Sequence, residues 1–424
     1  MAGYQASGVD QVCNKNGRLL SSAGCWTGFA SFHDLAQLLC LYKHYHLPMT
    51  RLALITNEPP PYRIPVFNRI ARIPGITLQV IFCARREPNR HWDLPAFEFD
   101  HCFLNERITT VKGRYIHNNP DVVLALKRFG PDVIVTDGLN PTQLYAFGYA
   151  MFKGIPHVPL TDGTYESELN LSKVHKLIRR IVYGRSKAYL SASMGGQRLF
   201  ESYGVVPEQC FKSYLCIDNE AYQCTPQHEG DKFDLIFCGR MVPEKGPMFA
   251  LEVAEEVSRR LGRKASILFV GSGSEEQRVK SAAEGKKSRV VAYFHGFAKQ
   301  GELPSLYRSA RLFLFPTHAD VWGVVANEAC AAALPVIVTP YAGAAGELVV
   351  HGENGFVAEL DVGRWADHAT SLLTDQTMWE RFSRRSLTLV REYSFDNAAM
   401  GVVEACRYAL SSGAPRKASR AMSS

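Results

Sequence analysis

The chain has 424 residues, enough for two or three domains rather than one. Hydrophobic residues make up 46% and charged residues 21%, ordinary for a globular protein, and no stretch approaches the ~18 apolar residues that span a bilayer. The formal net charge of +7 fits anionic small ligands or an acidic membrane surface; without aromatic–basic interleaving it is too weak an excess to point to nucleic acid.

Residues 1–48 have no sustained period beyond a short helical piece, "DLAQLLCLYKHYHL". They read as an atypical extension, either poorly ordered or upstream of a true start at Met49. A signal peptide's order of basic, apolar and small residues is missing. The 11 cysteines are odd in number and lack CxxC or Cys/His ligand spacing, and Cys83, Cys238 and Cys330 lie in apolar runs. Buried free thiols in a reducing, cytoplasmic compartment are the expectation.

From Arg51 onward strands and helices alternate. "LALIT" and "ITLQVIFCA" read as strands, "DVVLALKRFG" as a helix closed by Gly130, and "DVIVTDG" and "PHVPLTDG" as strands ending in turns. "AYLSAS" and "CFKSYLC" follow, with a helix between them. Apolar runs separated by helices predict a parallel sheet covered on both faces. "IDNEAYQCTPQHEGDK" is polar and reads as a linker. The pattern then restarts with "DLIFCG", "SILFVGSGS", "RVVAYFHG", "LFLFP" and "PVIVTP", joined by helices such as "MFALEVAEEVSRRLG", whose Leu251, Val253, Ala254 and Val257 share a side. The expected fold class is α/β, two Rossmann-like doubly wound domains facing a central cleft. Their bounds are residues 49–215 and 228–395, with a linker over 216–227, a C-terminal helix over 396–411 long enough to cross the domain junction, and a disordered tail over 412–424.

Ligands of open α/β sheets bind beyond the carboxyl ends of the strands. In "FCGRMVPEKG" a buried strand ends in glycine, and Arg240 and Lys245 follow on a short turn. Arginine offers a planar fork of donors and lysine a point charge, so the pair suits phosphate oxygens. It equally fits a helix-start salt bridge with Glu244 or Glu252. In "HADVWGVVANEACAAALPVIVTP", Asp320 and Glu328 flank seven residues, among which Gly323 opens an apolar helix. A carboxylate inside that helix can accept two ribose hydroxyls, and one in the loop before it can accept sugar hydroxyls. The first amides of the helix, around Gly323 and Val324, can meet an anion. A merely solvated Glu328 conflicts with its apolar flanks, among which an unpartnered carboxylate is costly.

Together, "GRMVPEKG", "THADVWGVVANEACAAALPVI" and "GAAGELVVHGENGFV" resemble the retaining family-four glycosyltransferases of GT-B fold, over essentially residues 50–410. The resemblance implies a nucleotide-sugar donor held by the C-terminal domain, with Arg240 and Lys245 on its diphosphate, Glu328 on its ribose and Asp320 at the transferred sugar. It implies retention of configuration and a saccharide or lipid-linked saccharide acceptor. No cofactor is implied, and no metal: the chain has no Asp-x-Asp, and two cations can neutralise a diphosphate.

The sequence also departs from the family. The first acidic position holds Asp320 in place of glutamate. Ala333 stands where glycine is usual, which is tolerable at negative φ. The first loop, often glycine-rich, is the stiff "NEPPPYR", where Arg63 either supplies charge in place of glycine amides or is a helix-start surface arginine. Where relatives often carry a histidine near the reacting sugar, "VTDGLNP" has Asp137, a candidate sugar or acceptor contact that also reads as an Asx-turn. A second acidic turn follows with Asp162, Glu166 and Glu168.

"LSKVHKLIRRIVYGRSKAY", residues 171–189, holds six Lys/Arg and no acid, with Val174, Leu177, Ile178, Ile181 and Val182 at helical spacing. This amphipathic helix either meets anionic lipid headgroups, through Lys173, Lys176, Arg179 and Arg180, or packs on the sheet with a basic outer face. The leading function is sugar transfer in cell-surface polysaccharide or lipopolysaccharide synthesis, in the cytoplasm or peripheral on the inner face of its membrane. A nucleotide-sugar epimerase of the same fold and a non-catalytic sugar-nucleotide sensor are the alternatives.

Overall fold

The computed structural model describes residues 49–413 apart from 89–93, 112, 224–232 and 288. The expectations for residues 1–48, for the last four residues of the linker and the start of the second domain at 228, and for the tail beyond residue 413 lie outside the described residues. From Met49 on the chain is one compact unit containing two parallel sheets.

The first sheet opens with β1 (Thr50–Thr56), β2 (Ile76–Phe82) and β3 (Asp100–Phe103). An antiparallel hairpin, β4 (Ile108–Val111) with β5 (Arg114–His117), stands apart from it. The sheet resumes with β6 (Val133–Asp137), β7 (His157–Thr161), β8 (Tyr189–Ser191) and β9 (Cys210–Lys212). Its order is β3-β2-β1-β6-β7-β8-β9, parallel throughout. The second sheet comprises β10 (Phe233–Cys238), β11 (Ala265–Val270), β12 (Val290–Gly296), β13 (Ala310–Phe315), β14 (Val336–Val338) and β15 (Gly355–Val357). Its order is β12-β11-β10-β13-β14-β15, also parallel.

Each sheet starts in its middle, winds outward, and returns to the other side of its first strand. The order therefore reverses between β1 and β6 and between β10 and β13, and a crevice opens at such a point. Central strands are apolar on both faces because helices cover both: Leu52 to Ile55 of β1 and Leu235 to Phe237 of β10 are buried. The helix Pro247–Leu261 shows why the covering elements are helical. Ala250, Leu251, Val253, Ala254 and Val257 recur at a 3.6-residue period, and all are buried against the sheet.

The linker is less polar in place than in sequence. Cys216, Ile217 and Tyr222 are buried, and Asn219–Gln223 is a short helix. The final helix, Phe395–Gly413, runs two residues past the expected end, into what reads as tail. It follows the second domain in the chain but packs on the first, against the helix Ile64–Ala71 and β9. At Gly401 the approach is backbone to backbone: a Cβ there would lie 1.7 Å from the Lys212 carbonyl oxygen.

The two domains present the carboxyl ends of their strands to each other. Glu347, after β14, accepts a 2.7 Å hydrogen bond from the Met194 N–H, just past β8. Asn327, after β13, donates to the Leu215 carbonyl, just past β9, at 3.2 Å.

Candidate active site

The loop after β10 and the loop after β13 meet at the second switch point. The Glu244 carbonyl accepts from the His318 N–H at 2.8 Å and from the Thr317 hydroxyl at 3.1 Å. Gly246, at φ +66, makes the approach possible: a Cβ would lie 2.3 Å from the Pro316 carbonyl oxygen. This pairing fixes Lys245, whose Nζ donates to Asp320 Oδ2 at 2.6 Å and to the Ala319 carbonyl at 3.1 Å. Both side chains remain partly open to solvent. Arg240, on the same loop, is exposed, and its guanidinium has no partner among the described residues. The structure thus brings Lys245 together with Asp320, not with Glu244 or Glu252, and leaves Arg240 free.

Past Asp320 the chain turns at Gly323, with φ +93, where a Cβ would sit 2.3 Å from the Phe315 ring. The helix Val324–Ala331 starts there; the Ala326 N–H bonds the Gly323 carbonyl at 2.8 Å, and the N–H groups ahead of it, at Gly323 and Val324, precede the first intrahelical bond. Glu328 is the carboxylate of that helix and is only 6% exposed. The Tyr307 hydroxyl donates to its Oε2 at 2.9 Å. Burial pushes the carboxyl up to about 7, while hydrogen bonds from Tyr307, Gln300 and Tyr222 pull the other way. Tyr222 and Gln300 also line a cavity of about 370 Å³ between the linker helix and the helix Leu303–Arg308. Neither tyrosine was legible as part of the site; both reach Glu328 only through the fold.

Ala333 corrects an expectation. Its φ is +63, not negative. The reason is a helix-ending motif: the Leu334 N–H bonds the Ala329 carbonyl at 2.9 Å and the Ala333 N–H bonds the Cys330 carbonyl at 3.1 Å. The residue between helix and strand in that motif must be left-handed, and glycine normally fills it.

The first sheet's switch point gathers a second polar cluster. The Thr56 hydroxyl, ending β1, donates to Asp137 Oδ2, ending β6, at 2.9 Å. Burial and the Asp162 carboxylate push Asp137 up to about 6, opposed by Arg63 and the Thr56 hydroxyl. Arg63 is neither a surface arginine nor a cation standing free for a donor. It is buried, donating to Asp162 at 2.5 Å and to the Ser213 carbonyl and hydroxyl at 2.9 and 3.0 Å. In this arrangement it fastens the loop after β1 to the segment that leads into the linker.

Two parallel, doubly wound domains facing each other make the GT-B fold. Among solved structures, HepE of Anabaena in complex with UDP aligns with a TM-score of 0.65 over 84% of this chain and 99% of that one, at 17% identity. Residues 218–387, essentially the second domain, match the family described as glycosyl transferases group 1. A D-inositol 3-phosphate glycosyltransferase of Frankia alni is 34% identical over 190 residues, 42% of this chain and 46% of the relative. A 2-deoxystreptamine N-acetyl-D-glucosaminyltransferase of Niallia circulans is 30% identical over 152 residues, 35% of this chain and 38% of the relative. The matches span less than half the length of these curated relatives.

Proposed function

We propose that this protein is a retaining glycosyltransferase that moves a sugar from a nucleotide-sugar donor to a saccharide or lipid-linked saccharide acceptor, in cell-surface polysaccharide or lipopolysaccharide synthesis. One observation carries the reading: Lys245 is held 2.6 Å from Asp320 at the second switch point, on the loop that also carries Arg240, which has no partner among the described residues. The group 1 match and the UDP complex of a protein with the same fold support a nucleoside diphosphate as the leaving group.

As the bond to the sugar stretches, negative charge builds on the leaving diphosphate. Arg240 and Lys245 stabilise that charge more than the ground state, because fixed cations need not reorient. With these two cations the reaction calls for no metal. Lys245 is already in place, steered by Asp320 and the Ala319 carbonyl. Asp320 in turn accepts hydroxyls of the transferred sugar, and the open amides of Gly323 and Val324 face the anion. Glu328 accepts the ribose hydroxyls. Asp137, across the cleft, accepts a hydrogen bond from the sugar or the acceptor, with Thr56 as its positioning residue. The leaving phosphate takes the acceptor's proton, so no separate base is needed.

A screen of purified protein against UDP-, GDP- and ADP-sugars, read as nucleotide release, tests this reading. One donor should be hydrolysed slowly and turned over faster when a saccharide acceptor is added. Nucleotide release that no saccharide accelerates would point to an epimerase, and no release from any donor would contradict transfer.

A further inference from the structure

We infer that one side of the first domain, the outer face of the helices following β5, β6 and β7, is a docking surface for an anionic lipid bilayer; the inference builds on the reading of the acceptor as lipid-linked.

The helix Lys173–Tyr183 carries two apolar stripes. One, with Ile178, Val182 and Tyr183, packs the helix onto its neighbours Phe147, Tyr189 and Phe200. The other is left in water: Val174 is 65%, Leu177 56% and Ile181 42% exposed, at positions i, i+3 and i+7. Packing on the sheet therefore does not account for the second stripe. Lys173, Lys176 and Arg180 are exposed too, each one residue before a member of that stripe, so a cationic row runs alongside it. No acidic residue occurs between Glu168 and Glu201. Arg179 does not belong to the row, contrary to the sequence reading. Its guanidinium is paired with Glu168, with one bond at 2.7 Å, and anchors the helix.

Leu144, Phe147 and Met151 of the helix Pro141–Lys153 belong to the same hydrophobic cluster as Ile178 and Val182. The last residue but one of that helix, Phe152, is 83% exposed beside the Lys153 ammonium. On the next helix, Val122–Phe129, Leu124 is also exposed. Aliphatic and aromatic groups set among cations suit the boundary between headgroups and acyl chains. A second copy of this chain suits it poorly, because a two-fold interface would set the cationic row near itself. A crossover helix runs antiparallel to its strands, so Val174 lies at the rim where the strands end and the cleft opens. A bilayer on this face would bring a lipid-linked acceptor to that rim.

Flotation of the full chain with vesicles of phosphatidylcholine, alone or mixed with phosphatidylglycerol, tests the assignment. The wild type should float with the mixed vesicles and not with pure phosphatidylcholine. Leu177→Glu should lower the bound fraction about tenfold or more, and Lys173→Glu with Arg180→Glu should do likewise. Arg179→Lys should stay near wild type. The Leu177 and Lys173/Arg180 variants should melt near the wild-type temperature, and all the variants should turn over a soluble saccharide acceptor at the wild-type rate, since none is a cleft residue. Flotation of Leu177→Glu equal to wild type, or none of the wild type, would overturn the assignment. So would a wild-type dimer that Leu177→Glu splits into monomers. Vesicle binding by a protein that transfers no sugar would uphold the surface and remove the transferase reading instead.

Discussion

Glutamine at position 328 should make the ligand-free protein more stable at alkaline pH while weakening its hold on nucleotide. Glu328 is buried, and its carboxyl is raised from 4.5 to about 7 by desolvation. Between those values the folded protein keeps a proton that the unfolded chain releases, so stability falls as pH rises and the full penalty is present above pH 7. At about 1.4 kcal/mol per unit, a shift of roughly 2.5 units costs the wild type about 3 kcal/mol. Glutamine never ionises, yet its carbonyl still accepts from the Tyr307 hydroxyl. The stability of Glu328→Gln relative to wild type should grow from near zero at about pH 5 to about 3 kcal/mol at about pH 8. Thermal melts of both proteins across that range measure it. Ribose hydroxyls meanwhile lose a charged acceptor, worth about 1.5–3 kcal/mol, so nucleotide affinity should drop by about 10- to 100-fold in calorimetric titration. Melting curves that stay parallel at every pH would refute the burial argument. Unchanged nucleotide affinity would remove Glu328 from the ribose.

Ala333→Gly should raise the denaturant midpoint by an amount equivalent to about 0.5–1 kcal/mol, because a left-handed L-residue costs ~1–2 kcal/mol and glycine's extra freedom in the unfolded chain offsets part of it. An unchanged or lower midpoint would contradict the strain at φ +63. Gly323→Ala should destabilise by about 2 kcal/mol or more, since both φ and the Phe315 ring oppose a Cβ; wild-type melting would show that the turn relaxes freely. Asp137 loses its charge as pH falls through about 6, so wild-type kcat/KM should decline on that acidic side. Asp137→Asn should be slower and lack that limb; the same limb in both proteins would assign it to another group.

The strands and their order of appearance were legible because parallel strands buried on both faces announce themselves as apolar runs. The same periodicity put Asp320 and Lys245 at strand ends, though not in contact; that pairing depends on two loops 75 positions apart meeting at a switch point. The partners of Arg63 lie 99 and 150 positions away, and no local pattern encodes them. The tyrosines around Glu328 were hidden for the same reason. On the helix Lys173–Tyr183 the spacing revealed the apolar residues but not that they form two stripes, one of them exposed. Ala333 shows a subtler limit: its left-handed backbone is imposed by the bonds that end the helix, and its own side chain gives no sign of it.

The central claim is that Arg240 and Lys245 hold the diphosphate as it leaves. Steady-state kinetics of Arg240→Ala and Lys245→Ala, with the donor and acceptor found by screening, test it most directly. Losing one such donor typically costs on the order of a hundredfold or more in turnover. Each variant should therefore lose kcat on that scale with a smaller change in donor KM, whereas Glu328→Gln should mainly raise KM. Near-normal kcat in both cation variants would mean that the loop after β10 is structural, and that the chemistry resides elsewhere.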